Sequence, residues 1–489
     1  MMLTTITLVI VILLLISVVT GSKTNKSPPG PFPWPFVGNQ YLLKRLTRKL
    51  GGQHLAFLEL SKRYGSDLIT LDLGNSKVVI VSGTKPVNTV LKNDEYDGRP
   101  WNEFINIRNL GKKTGITMND GEEWKELRTW MVTTLREFGF GKRKMSEMIK
   151  DELVIVLENL KKGGARRLKP VIAPAVINVL WTLTTGKRFC ETTRLQCFMD
   201  LMERRARAFD MVGGLLSTFP WLRYIAPEAS GYNLLVTLNN ELKDFLMEAI
   251  IEHREKYVLG SEADLIDMFL REMANSKESS SVFTEDQLVM ILVDLFLAGC
   301  TTTGTTLDFL FLSMVVHQDV QRKLQKEIDS VIPSNRLPDL DDRSKLPYTE
   351  AVMAESQRMW PVLPVIGPRR VLRDTSLEDY RLPKESTILL NVYSVNMDPN
   401  VYPDPQTYNP ERFLKDGVYD PPGSSLIFGG GRRRCPGDAL ARAAMFLLFV
   451  GVMQKYSLLP VQGKGPTSVE MNPGLSFSPK PYEILAVPR

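Results

Sequence analysis

The chain has 489 residues, 43% of them apolar, enough to bury a large core in one big domain or two smaller ones. A net charge of +6 is modest for this length: it speaks for a local basic docking face or an affinity for anionic membrane, and against nucleic acid as a partner. Four cysteines (Cys190, Cys197, Cys300 and Cys435) make no disulfide framework in so long a chain, which points to a reducing compartment.

Residues 3–20 carry no charge and are long enough to cross a membrane, longer than the roughly 7–15 residues of a signal-peptide core. No Lys or Arg precedes them, whereas Lys23, Lys26, Lys44, Arg45, Arg48 and Lys49 follow, so the positive-inside rule leaves the bulk of the protein in the cytosol. A cleaved signal ending near Thr20 is the competing reading. Residues 28–35, PPGPFPWP, lock φ and lack donors, which makes a stiff spacer that cannot continue a helix. The expected organisation is an anchor at 1–22, a proline-rich hinge at 23–40 and one large domain at 41–489.

Within that domain, residues 53–64 read as a helix. Residues 68–73 and 77–82 alternate around Gly74-Asn75-Ser76 and predict a hairpin. From about 84 to 330 nearly everything is amphipathic helix, broken at 98–119 and 213–231. Short strands return near 365–390 and 470–488. The pattern predicts an α+β fold that is mainly α.

A long apolar helix is expected over 288–316, opened by a capping box in which Thr284 bonds the Gln287 N–H and the glutamine reaches back. With no polar face it must be buried. Its middle, GCTTTGTT at 299–306, gathers eight poor helix formers. Threonines there can bond carbonyls of the preceding turn and leave room for small polar guests. Further on, Glu355 and Arg358 stand at i,i+3 on a helical stretch, an acid–base pair on one face.

Residues 428–437, FGGGRRRCPG, set one cysteine among glycines and arginines. The neighbouring cations should lower the Cys435 thiol toward the thiolate, a nucleophile or metal ligand. No second Cys or His lies within ten residues, which argues against zinc. Only three histidines exist (His54, His253, His317), a poor basis for a cysteine protease. One axial thiolate to a heme iron fits best, with an arginine neutralising a propionate.

The pattern F-x-x-G-x-R-x-C-x-G is met at Phe428, Gly431, Arg433, Cys435 and Gly437. It resembles the heme loop of the cytochrome P-450 (heme-thiolate monooxygenase) superfamily, and the likeness runs from hinge to last strand. It implies that superfamily's fold, heme b (iron protoporphyrin IX) held by Cys435, and insertion of one atom of O2 into a lipophilic substrate. Electrons would come from NADPH through a reductase, and cytochrome b5 is a possible second partner. Residues 298–303, AGCTTT, resemble the oxygen-activation motif. Thr302 falls on its proton-steering threonine, and Thr301 replaces the usual acid.

The same resemblance gives roles to other positions. Trp124 and Arg128 match W-x-x-x-R and, with Arg369 and Arg433, form the implied propionate set. Arg412 would complete a structural triad with Glu355 and Arg358. Substrate contacts would come from the loop at 98–119, helices near 205–245, and Val293, Phe296, Leu297, Ala298, Val365, Leu475 and Phe477. A basic cluster of Lys125, Lys142, Arg143, Lys144, Arg432 and Arg434 would receive an acidic electron donor. The stretch 219–225, with Trp221 and Tyr224, would touch the membrane interface.

Three further segments, 186–189, 219–222 and 434–442, look like an insect microsomal branch that includes methyl farnesoate epoxidases of juvenile-hormone synthesis beside ecdysteroid and xenobiotic hydroxylases. The implied location is the endoplasmic reticulum membrane, single anchor, domain in the cytosol. Two rivals stay open on sequence: a heme-thiolate isomerase or dehydratase that takes a peroxide without reductase, kept alive by Thr301, and a non-catalytic heme- or hydrophobe-binding membrane protein.

Overall fold

In a computed structural model, residues 285–316 form one unbroken helix of 32 residues, Glu285–Val316, about 48 Å long. The structure describes residues 27–489 except 75, 190, 209–213, 276–281, 423–424, 473 and 475. The expected anchor at 1–22 and the first hinge residues therefore lie outside the described residues, as does Leu475. Of the helices among the described residues, Glu285–Val316 alone is long and apolar enough to cross a membrane, but it is largely buried and forms the core of the fold.

Around this core helix pack Lys169–Thr185, Thr192–Ala208, Tyr232–Lys256 and Asp438–Lys455. Leu288, Ile291, Phe296, Leu307, Leu310 and Phe311 interlock there with Leu180, Phe198, Leu242 and Phe446. Gly299 permits the closest approach: a Cβ at that position would stand 2.7 Å from Leu180 Cδ2. The expected capping box is only half made. Thr284 Oγ1 accepts from the Gln287 N–H at 3.3 Å, but the Gln287 side-chain oxygen Oε1 accepts from the Gly115 N–H at 2.8 Å instead of reaching back. A tertiary donor outcompetes the local one.

The hairpin forms as Leu68–Asp72 and Lys77–Val81, with Leu68 opposite Val81 and Asp72 opposite Lys77. Its second strand runs parallel to Thr387–Leu390, which pairs in turn with Ile366–Arg370. Period-2 geometry sends Val79 and Val81 into one apolar cluster and Val78 and Ile80 into another, so this inner strand is covered on both faces. A smaller sheet joins Tyr456–Pro460, Ile484–Pro488 and the unforeseen strand Ala165–Arg166. The loops expected at 98–119 and 213–231 contain short helices, Glu103–Arg108 in the first and Leu215–Thr218, Leu222–Ile225 and Pro227–Ser230 in the second. They are too short for a periodic signal to emerge from sequence.

Candidate active site at the thiol loop

The loop 428–437 leads into the helix Asp438–Lys455. Gly431 has φ +64°, and a Cβ there would fall 1.9 Å from the Leu91 carbonyl oxygen, so no other residue fits. The Cys435 N–H donates to the Phe428 carbonyl at 2.9 Å and closes the turn. The backbone N–H of Gly437 bonds the half-buried sulfur.

The expectation of a low-titrating thiol is overturned. Burial pushes Cys435 above its ordinary value; the Gly437 N–H, Arg128 and Arg434 pull downward without prevailing, and Asp438 adds to the rise. The reason is spatial. Arg433 turns away to donate to Asp97 O and Asn119 O, both at 2.8 Å, while Arg432 faces Asp94 and Arg434 binds Asp438 at 2.6 Å. A coordinated metal deprotonates a thiol outright, so this thiol and a metal ligand are compatible.

Beside the loop lies a cationic cluster in which Arg369 is buried and Arg99, Arg128 and Arg433 are half-buried. Arg433 stacks on the Trp124 ring at 3.5 Å, and Arg128 stands 5.8 Å from the same ring while donating to the Arg434 carbonyl. Arg369 pairs with Asp97 at 2.7 Å. Arg99, which sequence reasoning missed, donates to the Pro368 carbonyl and completes the set. Burial, then the like charges of Arg433 and Arg369, push Arg99 well below its ordinary range; burial and Arg369 bring Arg433 to about 9. Since a guanidinium keeps its proton in proteins, these shifts measure charge held at a cost. The indole N–H of Trp124 and the Nε–H of Arg99 are buried with no acceptor among the described residues.

Between its ends the core helix keeps exposure at Leu295, Leu297, Ala298, Gly299, Thr301, Thr302 and Thr306, and Leu295, Ala298, Thr302 and Thr306 form one line. Steps of three and four place them on one face, with Leu297 and Thr301 on the adjoining stripe. Thr302 Oγ1 donates to Ala298 O at 2.7 Å and Thr306 Oγ1 to Thr302 O at 3.0 Å, the back-bonding expected for this segment. Val293 and Phe296 lie on the opposite face, within the packed core. Phe296 sits 5.3 Å from the Trp181 ring and 5.2 Å from Phe198, which gives it a packing role where substrate contact was expected. Phe477 likewise is enclosed by His54 and Tyr393, while Val365 is half-buried against the N-terminal apolar cluster.

The anticipated triad is assembled. Glu355, fully buried, accepts from Arg358 at 2.6 and 2.8 Å and from Arg412 Nε at 3.1 Å. The remaining donors go to the carbonyls of Asn396, Pro403, Asp404 and Thr407. On the rim, Lys125, Arg143, Arg432 and Arg434 are exposed, and Gly141 lies against Ala439 at the start of the helix that follows Cys435.

Heme b fits these residues on three grounds. A sulfur is presented from a glycine-shaped turn. Clustered arginines, one fully buried, and an unanswered indole N–H suit anions such as two propionates. An open, mixed apolar and hydroxyl stripe interrupts an enclosed helix. The comparisons agree: the profile of the family described as Cytochrome P450 matches residues 28–486, and the chain belongs to that family, the heme-thiolate monooxygenases that use heme b, O2 and electrons from a reductase. "Probable cytochrome P450 305a1" of Drosophila melanogaster is 38% identical over 97% of this chain and 96% of its own length. "Farnesoate epoxidase" of Bombyx mori is 36% identical over 94% of each, and human "Cytochrome P450 2J2" 32% over 94% and 91%.

Proposed function

We propose that Cys435, shaped by Phe428, Gly431 and Gly437, would hold the heme iron through its thiolate. Trp124, Arg128, Arg369, Arg433 and Arg99 answer the heme propionates. When bound, the heme would supply the oxidation: one atom of O2 enters the substrate and the other leaves as water, with two electrons from NADPH through the reductase and two protons. Cys435 donates charge to the metal, and the Gly437 N–H tempers that donation. Thr302, its proton bonded to Ala298 O, presents its hydroxyl oxygen as an acceptor on the open stripe, and Thr301 offers a second hydroxyl where the family's pattern has an acid. Leu297 and Ala298 orient an apolar substrate and exclude water from the reaction.

The observation that carries this reading is the cationic cluster beside the Cys435 loop, with the buried, unanswered N–H groups of Trp124 and Arg99. The leading substrate is a sesquiterpenoid such as methyl farnesoate, epoxidised; the apolar stripe and the name of the Bombyx mori relative support it, with steroid or xenobiotic hydroxylation next. An NADPH-dependent reductase docks on the basic rim around Lys125, Arg143 and Arg434, where cytochrome b5 also binds.

The protein sits on the endoplasmic reticulum membrane through residues 1–22, with 23–40 as hinge and 41–489 as cytosolic catalytic domain. A second apolar face supports this placement. Trp34, Phe36 and Tyr41 are exposed, as are Trp221, Tyr224 and Ile225, and the Gln40–Thr218 hydrogen bond of 2.9 Å ties the two segments together. Turnover with purified reductase, NADPH and methyl farnesoate tests the reading: an epoxide product with NADPH consumption is expected. Hydroperoxide turnover without reductase, and none with NADPH, would favour the isomerase instead.

A further inference from the structure

Below the thiol loop lies a cavity of about 80 Å³, walled by Arg343, Glu350, Gln357, Tyr402, Tyr419 and Arg442. A single water needs only about 10–15 Å³ of such room, so the space admits something larger. Its polar lining is unbalanced. The carboxylate of Glu350 is already taken, both oxygens accepting from Arg343 at 2.7 and 2.6 Å. Asp438, the acid closest to Arg442 in sequence, binds Arg434 at 2.6 Å. Arg442 rests its guanidinium 4.6 Å from the Phe428 ring and has no hydrogen bond or ion pair among the described residues. The hydroxyls of Tyr402 and Tyr419 have no partner there either. The Gln357 amide reaches only the Met445 sulfur, at 3.5 Å. Burial, with the like charges of Arg343 and Arg434, lowers Arg442 from its ordinary value, and Asp438 and Glu350 oppose the fall without prevailing.

We propose that this cavity is a binding site for a small oxyanion of phosphate size. Arg442 supplies the charge, and the hydroxyls of Tyr402 and Tyr419 supply hydrogen-bond donors. Phosphate oxygens suit such a set because they accept several bonds and would bond Arg442 directly, whereas Glu350 attracts it only from a distance, its oxygens held by Arg343. Ile427 lines the cavity and Phe428 lies under Arg442, so an occupied site braces the first residues of the loop that presents Cys435.

The test uses the full heme-loaded chain in phosphate-free buffer. Calorimetric titration with inorganic phosphate should show one saturable site per chain. Phosphate should also raise the temperature at which the thiolate-type absorption is lost, while sodium chloride at matched ionic strength should not. Arg442→Leu should weaken phosphate binding at least about tenfold, the loss of a charge-assisted bond. Tyr419→Phe, which keeps the ring stacked on Phe413, should weaken it about fivefold and decides the matter alone if the arginine variant does not fold. Absence of saturable binding, an equal effect of chloride, or unchanged affinity in the variants overturns the proposal.

Discussion

The knot of Glu355, Arg358 and Arg412 and the cluster of Arg99, Arg369 and Arg433 are both arginine-rich and withdrawn from solvent, the first more fully than the second, yet their hydrogen bonds are distributed differently. In the knot one carboxylate answers two guanidiniums, and their remaining donors end on backbone carbonyls. In the cluster, Trp124 and Arg99 hold N–H groups toward no acceptor, and the arginines repel one another. A satisfied charged network holds a fold together; an unsatisfied one anticipates a ligand. Residues of the first kind should be needed for folding, those of the second for cofactor retention.

The sharpest break of that comparison is Glu355→Ala. It leaves two buried guanidiniums without their carboxylate, a loss of about 3–5 kcal/mol, and should abolish folded protein by circular dichroism with or without heme. A change of similar size, Phe296→Ala, should cost about 3–5 kcal/mol in thermal stability through lost packing while leaving substrate-induced spectral shifts intact. Ala298→Phe, on the open stripe, should do the reverse. Arg433→Ala should leave the circular dichroism unchanged and weaken hemin binding about 10- to 100-fold in titration. Trp124→Phe should do the same by about fivefold.

The smallest effect concerns a charge pair outside both regions. Burial lowers His253, but hydrogen bonding and attraction from Asp264 raise it overall to about 8, with the Ala249 carbonyl and Asp267 adding to the rise. A folded value above the unfolded 6.5 means the stabilisation is full below pH 6.5 and fades as pH rises through 8. After screening it amounts to about 1 kcal/mol, visible as a fall in melting temperature over that window that His253→Asn should remove.

Much of this was legible because motifs encode local geometry. The glycine pattern around Cys435, the Glu355–Arg358 spacing and the Trp124–Arg128 pair each depend on a few neighbouring residues, and the structure places each as a unit. What escaped was information about direction. On a helix apolar all round, period alone cannot say which face is open, so Val293 and Phe296 were grouped with Ala298. Closeness in chain is not closeness in space: Arg433 neighbours Cys435 in sequence but turns its Nε and one terminal nitrogen to the Asp97 and Asn119 carbonyls. Arg99 gave no signal at all, since its partners Pro368 and Arg433 are more than 250 residues away.

The central claim is tested most directly by the absorption of the reduced, carbon-monoxide-treated protein. A long-wavelength Soret band in the wild type that disappears in Cys435→Ala is the predicted result. Its absence from the wild type, or its survival in the variant, would contradict the assignment of Cys435 as the ligand.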